Sequence, residues 1–299
     1  MTIKPEPGSH LQKVIYRLFH NDKNILAKDP EFINHAFDQS EINKPGFFPQ
    51  DKISAFWREA EKTLQMIEPH LNPGMRILEV GGGVGLVYAL LRSRGFDVVA
   101  LEPGAHGFGD RHKAGMHLLK MIGIDSRGWL KMGIEDFSPS EQTFDLIFSY
   151  FVLEHLSDLD KAFQVMASAL TNDGLMIHCC PNYTMPFEPH FNIPLIPFKP
   201  EWTALIFPKL KKSKLWKGLR FTSVRTVSKL CASKGLKPVF RRGMTASAFE
   251  WVLTDPIFAG RKQNLIKLAK LLQSSGMLRL IHMMPSTLDT PMEFTARKI

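Results

Sequence analysis

The sequence predicts an α/β fold, an open and doubly wound sheet of mostly parallel strands with helical additions. Three observations carry this. The stretch Ile77-Leu78-Glu79-Val80-Gly81-Gly82-Gly83-Val84-Gly85 reads as a short buried strand, then a glycine-rich turn, then a helix from Val84 to Arg94. A second strand, Asp97 to Leu101, ends in an acid, Glu102, about 20 residues past the turn, where open sheets that bind nucleotide-like ligands place one. Strand-like and helix-like segments then alternate, the pattern of a parallel sheet.

The elements follow in order. Residues 1–50 read as short helices broken by Pro and Gly, roughly His10 to Phe19 and Pro30 to Gln39, forming an N-terminal cap ahead of the sheet. Asp51 to His70 has helical spacing at Ile53, Phe56, Trp57, Ala60, Leu64 and Ile67, and Asn72-Pro73-Gly74 stops it. Gly104 to Gly123 is a connection with a helix from Arg111 to Met121. His106, His112 and His117 lie here without metal-ligand spacing and read as surface residues. Lys131 to Phe137 closes a third strand, and Asp145 to Ser149 is a fourth. Ser157-Asp158-Leu159-Asp160 caps a helix whose apolar face is Leu159, Ala162, Phe163, Met166 and Leu170, with Asn172-Asp173-Gly174 as its stop. Leu175 to Cys180 is a fifth strand, and four prolines make Pro181 to Pro194 a stiff loop. Residues 198–221 are a basic, aromatic insertion. A capped helix from Val224 stops at Gly235, and Leu236 to Arg242 is a sixth strand. A helical insertion spans 244–285, with helices at Gln263 to Leu272 and Met277 to Met284, and Met292 to Arg297 is the last strand. The main domain thus runs over residues 51–299.

Composition bounds the function. A chain of 299 residues with 44% hydrophobic and 22% charged residues has an ordinary globular make-up. No apolar run reaches the ~18 residues of a membrane span, and Met1 to Pro7 lacks the apolar core of a signal peptide. Cys179, Cys180 and Cys231 show no metal-ligand spacing and read as reduced thiols in a cytoplasmic protein. The net charge of +9 concentrates at Lys209, Lys211, Lys212, Lys214, Lys217 and Arg220, with Arg241, Arg242, Arg261, Lys262, Lys267 and Lys270 adding to it. Such a surface suits an acidic substrate or the inner, anionic face of a membrane. No nucleic-acid motif accompanies it, so nucleic acid is not the expected partner.

The acid before the turn selects the ligand. Gly81, Gly82 and Gly83 leave room for a close ligand. A nicotinamide-binding turn needs G-x-G-x-x-G, and Leu86 breaks that pattern. What fits is acid-x-G-x-G-x-G, met by Glu79, Gly81, Gly83 and Gly85. A carboxylate there repels a pyrophosphate and attracts a cation. On these residues, on Glu102 and on Asp145 to Ser149 followed by Leu153-Glu154-His155, the sequence resembles the class I, Rossmann-like S-adenosylmethionine-dependent methyltransferases, over roughly Pro73 to Pro181.

The resemblance implies a seven-stranded sheet whose last strand returns antiparallel between the fifth and sixth. It implies S-adenosylmethionine as cofactor and methyl transfer to an O or N of a small-molecule, sugar or lipid-linked acceptor. Glu79 would lie near the amino-acid end of the cofactor, and Glu102, followed by Pro103, would hold the ribose. Ile134 would pack on the adenine and Glu135, or its neighbour Asp136, would read its amino edge. Ser149 and Tyr150, at the end of the fourth strand, complete the expected contacts. His155 and His190 are the candidate catalytic bases, with Glu188 beside His190 in a Pro-Asn-Tyr…Glu-Pro-His-Phe loop. No metal is expected. The alternatives are a non-catalytic cofactor-binding or membrane-associated relative, an oxidoreductase, disfavoured by Leu86 and Glu79, and a nucleic-acid methyltransferase, suggested only by the basic segment.

Overall fold

The computed structural model describes residues 50–104, 111–139, 143–254 and 263–299. The expected cap over residues 1–50, apart from Gln50, lies outside them, as does His106. The strands are β1 (Arg76–Val80), β2 (Asp97–Leu101), β3 (Trp129–Leu130), β4 (Phe144–Tyr150), β5 (Leu170–Cys180), β6 (Phe187–Glu188), β7 (Ile193–Pro194), β8 (Leu236–Phe240) and β9 (Met292–Lys298). Seven of them form one sheet in the order β3-β2-β1-β4-β5-β9-β8, and β6 and β7 form a separate hairpin. β1 runs parallel to β2 and β4, β2 runs parallel to β3, and β9 is antiparallel to both β5 and β8. The expected return of the last strand between its two partners is therefore present. Two compact units divide the chain, one ending at Phe148 and one beginning at Ser149.

In the first unit, α1 (Gln50–Ile67) turns Ala60, Leu64 and Ile67 inward at the spacing read from the sequence. A 3-10 turn at Glu68–His70 replaces its expected last turn, with Pro69 near its start. β1 is apolar because both of its faces are covered, as parallel strands require. Its first residue is fixed from two sides. Arg76 pairs with Asp97 at 3.1 Å, and its N–H donates to the Asp145 carboxylate at 2.9 Å. The helix after the turn, α2 (Leu86–Ser93), is shorter than Val84 to Arg94, because Gly85, with a left-handed backbone (φ 80°), is its N-cap and not a residue within it. After β2 and α3 (Arg111–Ile122), β3 is only two residues long. The segment expected to finish it is a 3-10 turn at Ile134–Asp136.

Trp129 of β3 explains two bare positions. A Cβ on Gly82 would meet its ring at 2.4 Å, and one on Gly115 would meet it at 2.6 Å. Trp129 thus requires that Gly82 be bare, whatever ligand its backbone meets. Gly83 differs: it has φ 59° and open space where a Cβ would be.

In the second unit, α4 (Leu159–Ala169) starts at Asp158, whose carboxylate accepts from the Lys161 N–H at 3.0 Å, as the capping pattern predicts. Its end does not follow the sequence reading. Leu170, expected on the helix face, is the first residue of β5, and Asn172-Asp173-Gly174 continues that strand. The end of β9 holds this extension: Arg297 donates to the Asp173 carbonyl at 2.8 Å and Lys298 to that of Leu170 at 2.7 Å. Pro181 to Pro194, expected as a stiff loop, contains the β6–β7 hairpin. The basic insertion carries two short helices, α5 (Thr203–Ile206) and α6 (Lys214–Gly218), linked by a 3-10 turn at Pro208–Lys212. α7 (Val224–Ser233) is capped by the Ser223 hydroxyl. The helical insertion is present as α8 (Met244–Thr254), α9 (Gln263–Ser274) and α10 (Met277–His282). Buried Asp289 accepts from the N–H groups of Gly243 at 2.6 Å and Thr245 at 2.8 Å, so it caps α8.

The Gly82–Trp129 contact yields a direct test. Gly82→Ala is expected to lower stability by about 1–3 kcal/mol through overpacking. In a Trp129→Leu background the same change is expected to lose at least about 0.5 kcal/mol less. Urea denaturation of the four proteins checks this, and strictly additive losses would contradict it.

Candidate functional site

In the first unit, the ends of three adjacent parallel strands converge. β1 ends in Glu79-Val80 and runs into the glycine turn. The N–H groups of Gly81 and Gly82 both donate to the Leu101 carbonyl of β2, at 2.9 and 3.0 Å. β2 then delivers Glu102, whose N–H donates to the Leu130 carbonyl of β3 at 2.9 Å. The side chain of Glu102 is buried and points at the turn. Its Oε2 accepts from the Gly83 N–H at 2.9 Å and its Oε1 from the Gly104 N–H at 3.0 Å. Each oxygen keeps a second lone pair, the capacity a diol ligand would use. Burial raises the pKa of this carboxyl, while the two amides and Arg111 act against that rise.

Glu79 lies beside it in a harsher environment. It is buried, and its carboxyl is pushed up to about 8, first by burial and then by the charges of Glu102 and Glu59. One oxygen, Oε2, has no hydrogen-bond partner. A buried carboxyl with an open oxygen and two acidic neighbours is a socket for a cation. Arg111 is the positive group that faces Glu102 and half-buried Glu59 of α1, and its guanidinium lies over the Phe56 ring at 5.4 Å. Ile134 is fully buried in the turn after β3. The Glu135 carboxylate folds back over Gly133, 2.9 Å from where a Cβ would sit, and Pro103 is exposed just after Glu102. The cofactor candidates of this unit, Glu79, Gly81, Gly82, Gly83, Gly85, Glu102, Pro103, Ile134 and Glu135, therefore share one sheet edge, the carboxyl ends of β1, β2 and β3.

In the second unit, Ser149 and Tyr150 finish β4. The Ser149 hydroxyl is spent inside: it lies 2.7 Å from His178 Nδ1, and both residues are buried. Burial holds the His178 pKa down to about 3, so this imidazole stays neutral. A cofactor contact from Ser149 would have to come from its backbone. Tyr150 is half-buried, edge-on to Phe151 at 4.8 Å. The two candidate bases, 35 positions apart in the chain, come together, with the rings of His155 and His190 5.1 Å apart. Glu188, fully buried, is the clasp. It accepts from His190 Nδ1 at 2.6 Å, from the Phe191 N–H at 2.7 Å and from the Tyr183 hydroxyl at 3.2 Å. A carboxylate with those three donors fixes the orientation of the imidazole through Nδ1 and turns Nε2 away from Glu188. Burial raises the Tyr183 pKa, so its hydroxyl keeps the proton that it donates to Glu188.

Glu154, also fully buried, places Oε1 3.9 Å from His155 Nε2. Glu154, His155 and His190 together offer three donor atoms within 4.8 Å of one another. Spacing in the sequence did not reveal this set, because its members come from two separate loops. Trp129 and His178 also escaped the sequence reading. Two glycines facing one space hint at Trp129 only after folding, whereas a lone polar residue in the run Leu175 to Cys180 marks His178 in the sequence itself.

A family profile described as a methyltransferase domain matches residues 52–239. An uncharacterized protein of Mycobacterium tuberculosis is 32% identical over 240 residues, which span 76% of this chain and 80% of that protein. A ubiquinone biosynthesis O-methyltransferase of Rhodopseudomonas palustris is 26% identical over 131 residues, 44% of this chain and 47% of that protein. Among solved structures, a geranyl diphosphate methyltransferase in complex with GPP and sinefungin aligns over 97% of this chain and 98% of its own, at 15% identity and a TM-score of 0.49.

Glu79 gives the site a pH signature. Its folded-state pKa lies above the ordinary 4.5, so between those values the folded protein holds a proton that the unfolded chain releases. Stability of the free protein is therefore expected to fall as pH rises from about 5 to 8, by up to about 1.4 kcal/mol per pH unit from this group. Glu79→Gln is expected to flatten that slope and weaken cofactor binding together. Urea denaturation and cofactor titration across the range check both, and an unchanged slope would contradict the assignment. The profile match over most of the chain, together with the carboxylates and glycine turn at one sheet edge, establishes that the chain belongs to the class I S-adenosylmethionine-dependent methyltransferases.

Proposed function

We propose that the protein transfers a methyl group to an oxygen or nitrogen of a small-molecule, sugar or lipid-linked acceptor, and that the His155–His190–Glu188 cluster manages the acceptor's proton. The observation that carries this is Glu188, which orients His190 through Nδ1 beside His155, as a base acting through Nε2 requires. The chain's own residues fit the cofactor. Glu79, with its unpartnered buried oxygen, would hold the cationic amino-acid end, Glu102 the ribose hydroxyls, and Ile134 and Glu135 the adenine. S-adenosylmethionine supplies an electrophilic methyl on a sulfonium. Most of the acceleration would come from holding the acceptor in line, and a positioned base adds typically 10²–10⁴-fold. The partial match to an O-methyltransferase of ubiquinone biosynthesis supports oxygen as the acceptor atom.

A second reading rests on the compact set of Glu154, His155 and His190. Those three donors could hold a divalent cation that would itself acidify an acceptor hydroxyl. Loss of turnover on chelation, restored by added Mg²⁺ or Zn²⁺, would favour it over the imidazole base.

The test follows S-adenosylhomocysteine formation with a panel of phenolic, sugar and amine acceptors. With an acceptor found, His190→Gln and Glu188→Gln are expected to lower kcat by about 10²–10⁴-fold while the cofactor Kd stays unchanged. Turnover by these variants equal to the wild type would sink the proton-handling role. Cofactor binding with no turnover on any acceptor, nor on RNA or DNA, would favour the non-catalytic alternative.

A further inference from the structure

The insertion between β7 and α7 is built in two faces. Its inner face is a small core of its own. Ala204, Leu210, Trp216 and Leu219 pack with Tyr183 and Leu195, and Phe191, Ile193 and Phe221 close around them. Trp216 meets the rings of Phe191 and Phe221 edge-on at 5.8 and 5.5 Å. The buried Thr203 hydroxyl accepts from the Ile196 N–H at 2.9 Å, and the Ser213 hydroxyl caps α6. The segment is therefore a folded element with a defined inside.

Its outer face is apolar where water should be. Phe198 is 97% exposed, and Trp202, Leu205, Ile206 and Phe207 are exposed beside it. Five large apolar side chains on ten consecutive residues exceed the scattered exposure that is normal for a protein surface. Phe198 adopts φ 63°, a left-handed backbone that a phenylalanine rarely takes. Six lysines, at 199, 209, 211, 212, 214 and 217, share the stretch 198–217 with this apolar group, all of them exposed, against the single acid Glu201. The Lys199 ammonium lies over the Trp202 ring at 5.8 Å.

We propose that this face, residues 198–217, docks the protein on an anionic lipid bilayer. The charge and the apolar groups call for the same occupant. A bilayer interface accepts protruding Phe, Leu and Ile below the headgroups and Trp at their level, and it gathers lysines on anionic headgroups above. A water-soluble polyanion would satisfy the lysines and leave Phe198, Leu205 and Ile206 in water. A protein groove would satisfy those three and leave the lysines without acids. No helix among the described residues is long and apolar enough to cross a membrane, so the attachment is peripheral and reversible. The proposal does not rest on the methyl-transfer reading, since it concerns residues outside both clusters.

The experiment is co-sedimentation of the full-length protein with large vesicles, either phosphatidylcholine alone or phosphatidylcholine with about one third phosphatidylglycerol. Partitioning is expected to be at least tenfold stronger on the anionic vesicles at low salt and to weaken as salt screens the lysines. Phe198→Ser/Leu205→Ser/Ile206→Ser alters only exposed side chains and is expected to lower partitioning at least tenfold, as is Lys209→Glu/Lys211→Glu/Lys212→Glu. Lys267→Glu/Lys270→Glu, on α9, is expected to leave it within twofold. Circular dichroism and thermal melting confirm that each variant is folded. Equal binding to both vesicle types, no binding, or a triple variant that binds like the wild type would overturn the proposal. So would a wild-type dimer that the apolar variant dissociates, since a second copy would then be the occupant.

Discussion

The Glu102 carboxylate is the constraint on which the first unit turns. Strand β2 ends one residue before it, the glycine turn after β1 donates to one of its oxygens, and Gly104 donates to the other. A buried carboxylate is tolerable only when such donors surround it. The turn in turn holds its shape partly because Gly83 donates to that acid and Gly81 and Gly82 donate to the carbonyl before it. Trp129 wedges under Gly82 from below. Strand ends, turn and core packing thus define one geometry, with both carboxylates at the same edge.

The second unit repeats the device with different parts. Glu188 gathers a tyrosine, an imidazole and a backbone amide from its own hairpin. Asp289 gathers two amides at the start of α8, and the Asn182 amide reaches the Thr287 and Asp289 carbonyls at 2.9 and 2.8 Å. The proline-rich segment is therefore held by buried polar groups at its start and in its middle. This rigidity suits a loop asked to hold an imidazole in a fixed orientation, and it explains why a stretch with four prolines can carry a short hairpin.

Much of the fold was legible in the sequence because its signals are local. The strand-turn-helix of residues 77–94, the acid at 102 and the caps at Asp158 and Ser223 all announce themselves within a few residues, whereas the antiparallel return of the last strand came from the family resemblance. The misses are tertiary. Asn172-Asp173-Gly174 reads as a helix stop, yet side chains from the far end of β9 hold it in a strand. That Gly82 must also be bare for Trp129 shows only after folding. The joint cluster of His155 and His190 was foreseen as two candidates, but their meeting depends on a hairpin that proline content concealed.

The most direct test of the account is calorimetric titration with S-adenosylhomocysteine of the wild type and of Glu102→Ala, each shown to be folded by circular dichroism. Micromolar binding by the wild type that the substitution abolishes is the predicted result. A folded wild type that does not bind, or a variant that binds as tightly as the wild type, would contradict the placing of the cofactor on the Glu102 carboxylate.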